Sequence, residues 1–296
     1  MYHGVRSGNN RINGRHITAE HFEKQLRYFK KRFTIVTLRQ LCEMKVQGII
    51  PRERTIALTF DDGFLNNLTT ALPLLEKYKI PATFFICTAG IGDQTYSHPT
   101  DRIDLIRISG EPTSIQINEE KFFRKDHQVV SGKGGENAYH YINKLSFKQW
   151  LKANNDLKAQ LDDKTTQQYN ELHQLLDEAS VRDLLKSELV SAGSHSHHHI
   201  NLSALAPEEV QFQLQESKTV LNSYLQPVDT VAFPYGFYNN STIAIAKDVG
   251  YRYLIAGGHV DPPFDKDVFP RIGVLDGAGF SYTMLMISNG FKRFGF

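Results

Sequence analysis

Hydrophobic positions along the chain alternate between a helical and a strand period. Phe22, Leu26 and Phe29 share one helical face in "AEHFEKQLRYFKKRF", and "TLRQLCEM" places Thr37 and Gln40 at capping-box spacing, so two early helices are predicted. "RTIALTF" then puts Ile56, Leu58 and Phe60 on one face of a strand that ends in "DDG". A helical stretch, "NNLTTALPLLEKY", and a nearly all-apolar strand, "ATFFICT", complete a βαβ unit. The rhythm resumes after "GSH". "APEEVQFQLQESKTVLNSYL" has Pro207 near its first turn, "TVAFPYG" reads as a short strand, "STIAIAKDVG" as a helix and "YRYLIAG" as another strand. This alternation predicts an α/β fold with a parallel sheet or barrel and helices outside.

Residues 93–190 break the rhythm. They turn polar, carry the loop "SGKGGEN", and in "QYNELHQLLDEASVRDLLKSEL" space Leu172, Leu175, Leu176 and Leu184 helically. The segment is read as a mostly helical insertion within a single domain spanning 1–296. "SGKGG" lacks the spacing of a phosphate-wrapping loop and is read as a flexible turn. Trp150, flanked by Phe147 and Leu151, is assigned to the insertion's core rather than to a sugar-stacking platform. The opening "MYHGV" reads as the end of a strand, and no internal repeat is found.

Composition narrows the function classes. With 41% hydrophobic and 22% charged residues in 296, the chain has the material for a large core. A formal charge of +2, with basic residues dispersed, gives no reason to expect a nucleic-acid partner. Cys42 and Cys87 are the two cysteines, in neither metal nor redox spacing, which permits a reducing compartment. No run approaches the length of a membrane span, and the opening residues carry no apolar signal core. As it stands, the sequence points to the cytoplasm; a leader removed upstream of Met1 would instead make the protein exported or envelope-associated. Oligomeric state is left open.

Candidate chemistry sits at two places. Asp61 and Asp62 directly follow a buried strand, where α/β sheets present their ligands, and successive residues leaving a strand point in different directions. An isolated "DDG" is commonly a solvated turn. The run "HSHHH" changes its meaning, because a catalytic divalent metal favours imidazole plus carboxylate with one position left open for water. On a helical turn His195 and His199 would share a face; in an extended segment His195, His197 and His199 would align.

These residues together resemble the polysaccharide deacetylase family, also called the NodB-homology or carbohydrate esterase 4 family. "LTFDDGF" (58–64) is similar to its first motif, "GSHSHHHINL" (193–202) to its H-[ST]-x-x-H motif and "FPYG" (233–236) to its third, in that order. The resemblance implies a distorted (β/α) barrel holding a divalent metal, usually zinc, with cobalt or nickel as alternatives. By position, Asp62, His195 and His199 are the implied ligands and Asp61 the general base, with His197 and His198 in variable positions. The backbone N–H of Tyr235 is the implied oxyanion donor, and Ser196 orients its loop rather than reacting. The implied partner is an N-acetylated saccharide.

Two departures stand out. The arginine that often opens the third motif is replaced by Ala232, and Arg271 in "FPRIGV" is the expected substitute. The late Leu-x-His motif, which usually supplies the general acid, is missing. "YHGV" resembles the "YHxV" strand of relatives with permuted motif order, which makes His3 the expected acid and His259, in "AGGHVDPP", its alternative. The resulting expectation is a metal-dependent hydrolase that removes N-acetyl groups from amino sugars of a poly- or oligosaccharide. Its rivals are deformylation of a lipid-linked sugar, hydrolysis of another non-peptide amide, and a catalytically silent saccharide-binding protein.

Overall fold

The structure is a computed structural model that describes residues 1–8, 14–51, 53–224, 227–257 and 267–274. Two short parallel strands, β1 (Gly4–Arg6) and β2 (His16–Thr18), lead into the helix Ala19–Arg32. A second parallel pair, β3 (Thr34–Ile35) and β4 (Thr55–Ile56), flanks the helix Leu38–Val46. Both helices form for the predicted reasons. Phe22, Leu26 and Phe29 are buried together on one face, and Thr37 and Gln40 cap each other reciprocally.

The site is carried by a six-stranded parallel sheet. β5 (Leu58–Phe60) and β6 (Ala82–Ile86) are followed by a separate antiparallel meander, β7 (Ser114–Ile117), β8 (Glu120–Lys125) and β9 (Gln128–Ser131). The main sheet then resumes with β10 (Val190–Ser194), β11 (Thr230–Ala232), β12 (Tyr253–Gly257) and β13 (Val268–Arg271), in the order β13-β12-β11-β10-β6-β5. Every residue of β5, β6, β11 and β12 is buried, as expected of parallel strands covered on both sides.

The sheet curls until its ends meet, and the first residues of the chain fill the seam. The Tyr2 N–H donates to the Thr59 carbonyl at 2.8 Å, and the Asp61 N–H donates to the Tyr2 carbonyl at 2.9 Å. On the other side the Met1 amino group donates to the Ile272 carbonyl at 2.8 Å, and the Val274 N–H to the Met1 carbonyl at 2.9 Å. The "MYHGV" strand thus closes a distorted (β/α) barrel. Between the sheet and the helix Ala19–Arg32, Tyr2 stacks on Phe60 at 5.3 Å and Phe60 on Phe84 at 4.7 Å, while Phe22 of that helix packs edge-on against Tyr2 and Phe60, so closure also buries a column of aromatic rings.

Residues 93–190 contain several helices, among them Pro99–Ser109 and Phe147–Gln160, together with the β7–β9 meander, which the helical reading omits. Its signal is short: Ile115 and Ile117 are buried around an exposed Gln116, a period of two over four residues. Trp150 is 1% exposed, a core residue as expected. The leucine-rich stretch is not one helix. It breaks at 174–176, where the Leu65 N–H donates to the Gln174 carbonyl (2.7 Å) and the Leu176 N–H to the Gly63 carbonyl (2.8 Å). Leu172, Leu175, Leu176 and Leu184 are buried all the same. The broken stretch therefore clamps the loop that follows Asp61 and Asp62.

Candidate metal centre

The loop after β5 turns sharply. Asp62 has φ 74°, a left-handed conformation that aspartate tolerates better than most residues, and Gly63 follows at φ 80°. A side chain at Gly63 would start 3.0 Å from the Ile86 side chain, so the second turn position needs glycine. The turn sends the two carboxylates to different partners. Asp61 receives a two-pronged ion pair from Arg271, with Nη1 to Oδ1 and Nη2 to Oδ2 both at 2.7 Å. Arg271 also donates to Thr59 Oγ1 at 3.1 Å, and its guanidinium lies 5.1 Å from the centre of the Phe85 ring. The arginine predicted to replace the one absent at Ala232 does reach Asp61, from the opposite edge of the sheet.

The histidine run is neither helix nor strand. Ser196 (φ 62°) and His199 (φ 51°) both adopt left-handed backbone, coiling the segment into a turn. The Ser196 hydroxyl accepts the His199 N–H at 3.1 Å, which fixes that turn. His195 and His199 converge on Asp62, with Nε2 3.5 and 3.0 Å from Asp62 Oδ1, and all three ligand atoms lie within 4.8 Å of one another. His197 and His198 point elsewhere. His197 Nδ1 meets Thr88 Oγ1 at 2.8 Å, and His198 Nδ1 meets Gln213 Nε2 at 3.0 Å.

This donor set fits a divalent cation. Both Asp62 oxygens are buried without a hydrogen-bond donor, an arrangement that is costly unless a cation completes it. His195 Nδ1 donates to the Ala232 carbonyl at 2.7 Å, leaving Nε2 as the free donor atom, the orientation typical of a metal-binding imidazole. Ala232 therefore orients the His195 ring through its carbonyl although it lacks the expected side chain.

Charges at the site are tightly coupled. Burial acts to raise the Asp61 carboxyl, but Arg271 and then His195 outweigh it and hold the group below its ordinary range. For Asp62, burial is likewise overcome by His199 and His195, and the carboxyl is held well below its ordinary value. Burial pushes the His3 imidazole down to about 4, against the pull of Asp62 and Asp61. His3 therefore lies in the electrostatic field of both carboxylates, and its carbonyl accepts from Asn67 Nδ2 at 2.8 Å. The Tyr235 ring packs against His199 at 4.7 Å, with its backbone left-handed at φ 58°. His259 lies outside the described residues.

Several neighbours were not anticipated. His98, fully buried, lies 4.5 Å from the His199 ring. Arg15 stands 3.5 Å from Asp62 Oδ2 and pairs with Asp101 and Asp104 of the helix Pro99–Ser109. Burial pushes Asp101 up to about 7, only partly offset by Arg15. None belongs to a recognisable motif: Arg15 lies in "NGRHIT", and His98, Asp101 and Asp104 lie in "SHPTDRIDL", within a stretch that is polar in its surroundings too.

The strand ends of the barrel gather a buried aspartate, two histidines and a second, arginine-held aspartate, a cluster whose donor atoms could hold a divalent cation. Residues 49–120 and 138–254 match the profile of the polysaccharide deacetylase family, well over half of the chain, and the chain belongs to that family. It is 21% identical over 254 residues to the putative polysaccharide deacetylase YxkH of Bacillus subtilis, covering 85% of this chain and 61% of that protein. It is 22% identical over 275 residues to the poly-beta-1,6-N-acetyl-D-glucosamine N-deacetylase of Staphylococcus aureus, covering 92% of this chain and 72% of that one. Among solved structures, the Streptococcus pyogenes deacetylase PplD, determined with acetate, superposes with a TM-score of 0.61 at 15% identity, covering 97% of this chain and 96% of that one.

Proposed function

We propose that the protein hydrolyses N-acetyl groups from amino sugars of a poly- or oligosaccharide, releasing acetate and a free amine. Membership of the family supports the reaction class, and the curated relative that acts on poly-N-acetylglucosamine supports the substrate class. The observation that carries the reading is Asp61, held ionised by Arg271 with its Oδ2 3.9 Å from His195 Nε2, immediately beside the Asp62–His195–His199 cluster. A saccharide-binding protein has no need of a base at that place.

Asp62, His195 and His199 would hold a divalent ion, zinc first, which when bound polarises the acetamide carbonyl and acidifies water. Asp61 takes the proton from the attacking water, and Arg271 keeps its carboxylate ionised and aimed. The Tyr235 N–H donates to the oxyanion as the carbonyl carbon becomes tetrahedral. His3 returns a proton to the leaving amine, one it takes up during the reaction, because burial holds its imidazole down to about 4 against the pull of Asp62 and Asp61. The C–N bond then breaks. The test is acetate release from N-acetylglucosamine oligomers, lost with a chelator and restored by zinc. Stoichiometric zinc without acetate release from acetylated saccharides would overturn the proposal.

A further inference from the structure

The carboxylate of Asp62 has two sides. Oδ1 faces both histidine nitrogens, at 3.0 and 3.5 Å, whereas Oδ2 faces Arg15 Nη1 at 3.5 Å. Arg15 is itself gripped from behind. Its Nη2 reaches Asp104 Oδ2 at 3.0 Å and forms a closer pair with Asp101 Oδ1. Both acids lie on one face of the helix Pro99–Ser109, about one turn apart, with 1–2% exposure. Asp104 is anchored in turn by Arg107 Nη2 at 3.1 Å and by the Tyr139 hydroxyl. A continuous chain of charge thus runs from the 93–190 segment through one guanidinium to a single oxygen of Asp62.

We infer that Arg15, clamped by Asp101 and Asp104, is a positioning residue that turns Asp62 so that only Oδ1 is offered to the metal. A bare guanidinium at this distance would compete with a cation for the carboxylate, and the two acids behind it remove that competition by neutralising it. What remains is orientation. The fork geometry matters, because one nitrogen faces Asp62 while the other holds two acids, which a single ammonium cannot reproduce. Outer contacts of this type change metal affinity by about 10- to 100-fold when removed.

The inference rests on Asp62 being a ligand, and the experiment separates the two claims. Zinc is titrated into metal-free full-length protein against a competing chromophoric chelator, with the urea midpoint of the metal-free form measured in parallel. Arg15→Met is expected to weaken zinc binding at least about tenfold, with Arg15→Lys intermediate. The double variant Asp101→Asn/Asp104→Asn, which leaves Arg15 in place, is expected to weaken it in the same direction. Adding Arg15→Met to that double variant should cost less than it does alone. If wild type binds zinc and every variant binds it equally well, the positioning role is wrong, whatever happens to the urea midpoint. Tighter binding by Arg15→Met would show a competitor instead and also overturn it. If wild type binds no zinc, the metal reading itself has failed.

Discussion

The barrel and the 93–190 segment contribute to the same site in different ways. The barrel supplies the groups proposed to react, from the ends of its strands: Asp61 and Asp62 after β5, the histidine turn after β10 and Arg271 on β13. The segment supplies no member of the Asp62–His195–His199 cluster. It gives the backbone that pins the loop after Asp62, the acids that grip Arg15 and the imidazole packed on His199. The proposed chemistry therefore sits on repetitive structure, while its alignment is set by an irregular layer built around it. Changes in the barrel should abolish function, and changes in the segment should alter affinity or stability.

The sharpest break in that comparison lies inside the histidine run. His199→Ala is expected to lose the metal, and with it at least about 1,000-fold in activity, whereas His197→Ala keeps both within a few-fold. Metal analysis of the two purified variants decides it. Retention by His199→Ala with loss by His197→Ala would mean that the ligand register is wrong.

Trp150 tests the segment as a structural layer. It is 1% exposed and packs 5.8 Å from the His198 ring, so Trp150→Ala should lower stability by about 3–5 kcal/mol in a urea melt. Protein that remains folded should still bind zinc. Loss of metal without loss of stability would place Trp150 in the site rather than beneath it.

Arg271→Ala removes the two-pronged partner of a buried carboxylate. A fall in kcat of about 10- to 100-fold, with zinc stoichiometry unchanged, is expected from acetate-release kinetics. An unchanged kcat would remove Arg271 from the mechanism and leave it as a strut across the barrel seam.

The smallest effect is one of pH. Burial holds the His173 imidazole, in the segment, below its ordinary value, although its Nε2–H donates to the Thr166 carbonyl at 3.0 Å. The unfolded chain then takes up a proton that the folded chain refuses, so this contribution is complete above about pH 6.5 and shrinks as pH falls. Urea midpoints of the metal-free protein between pH 7 and 5 should fall less steeply in His173→Gln than in wild type. Equal slopes would mean that the imidazole titrates normally.

The same contrast explains what could be read from the residues. Strand and helix periods exposed the barrel, and the acids and histidines at strand ends exposed the cluster, because both are local signals. The turn that joins His195 to His199 was not legible, since it depends on left-handed backbone at Ser196 and His199 rather than on a helix or strand period. Arg15, His98 and Asp101 were missed because their roles arise only from contacts between distant parts of the chain. The break at 174–176 was hidden too: its leucines are buried as a helix would bury them, but the backbone is taken by the loop after β5.

The division of labour between adjacent carboxylates is the centre of the account, and Asp61→Asn tests it most directly. The expected result is one zinc per chain, bound as tightly as in wild type, with acetate release reduced at least about 100-fold. Loss of the zinc, or turnover near the wild-type rate, would contradict the assignment of Asp61 as base beside a metal held by Asp62.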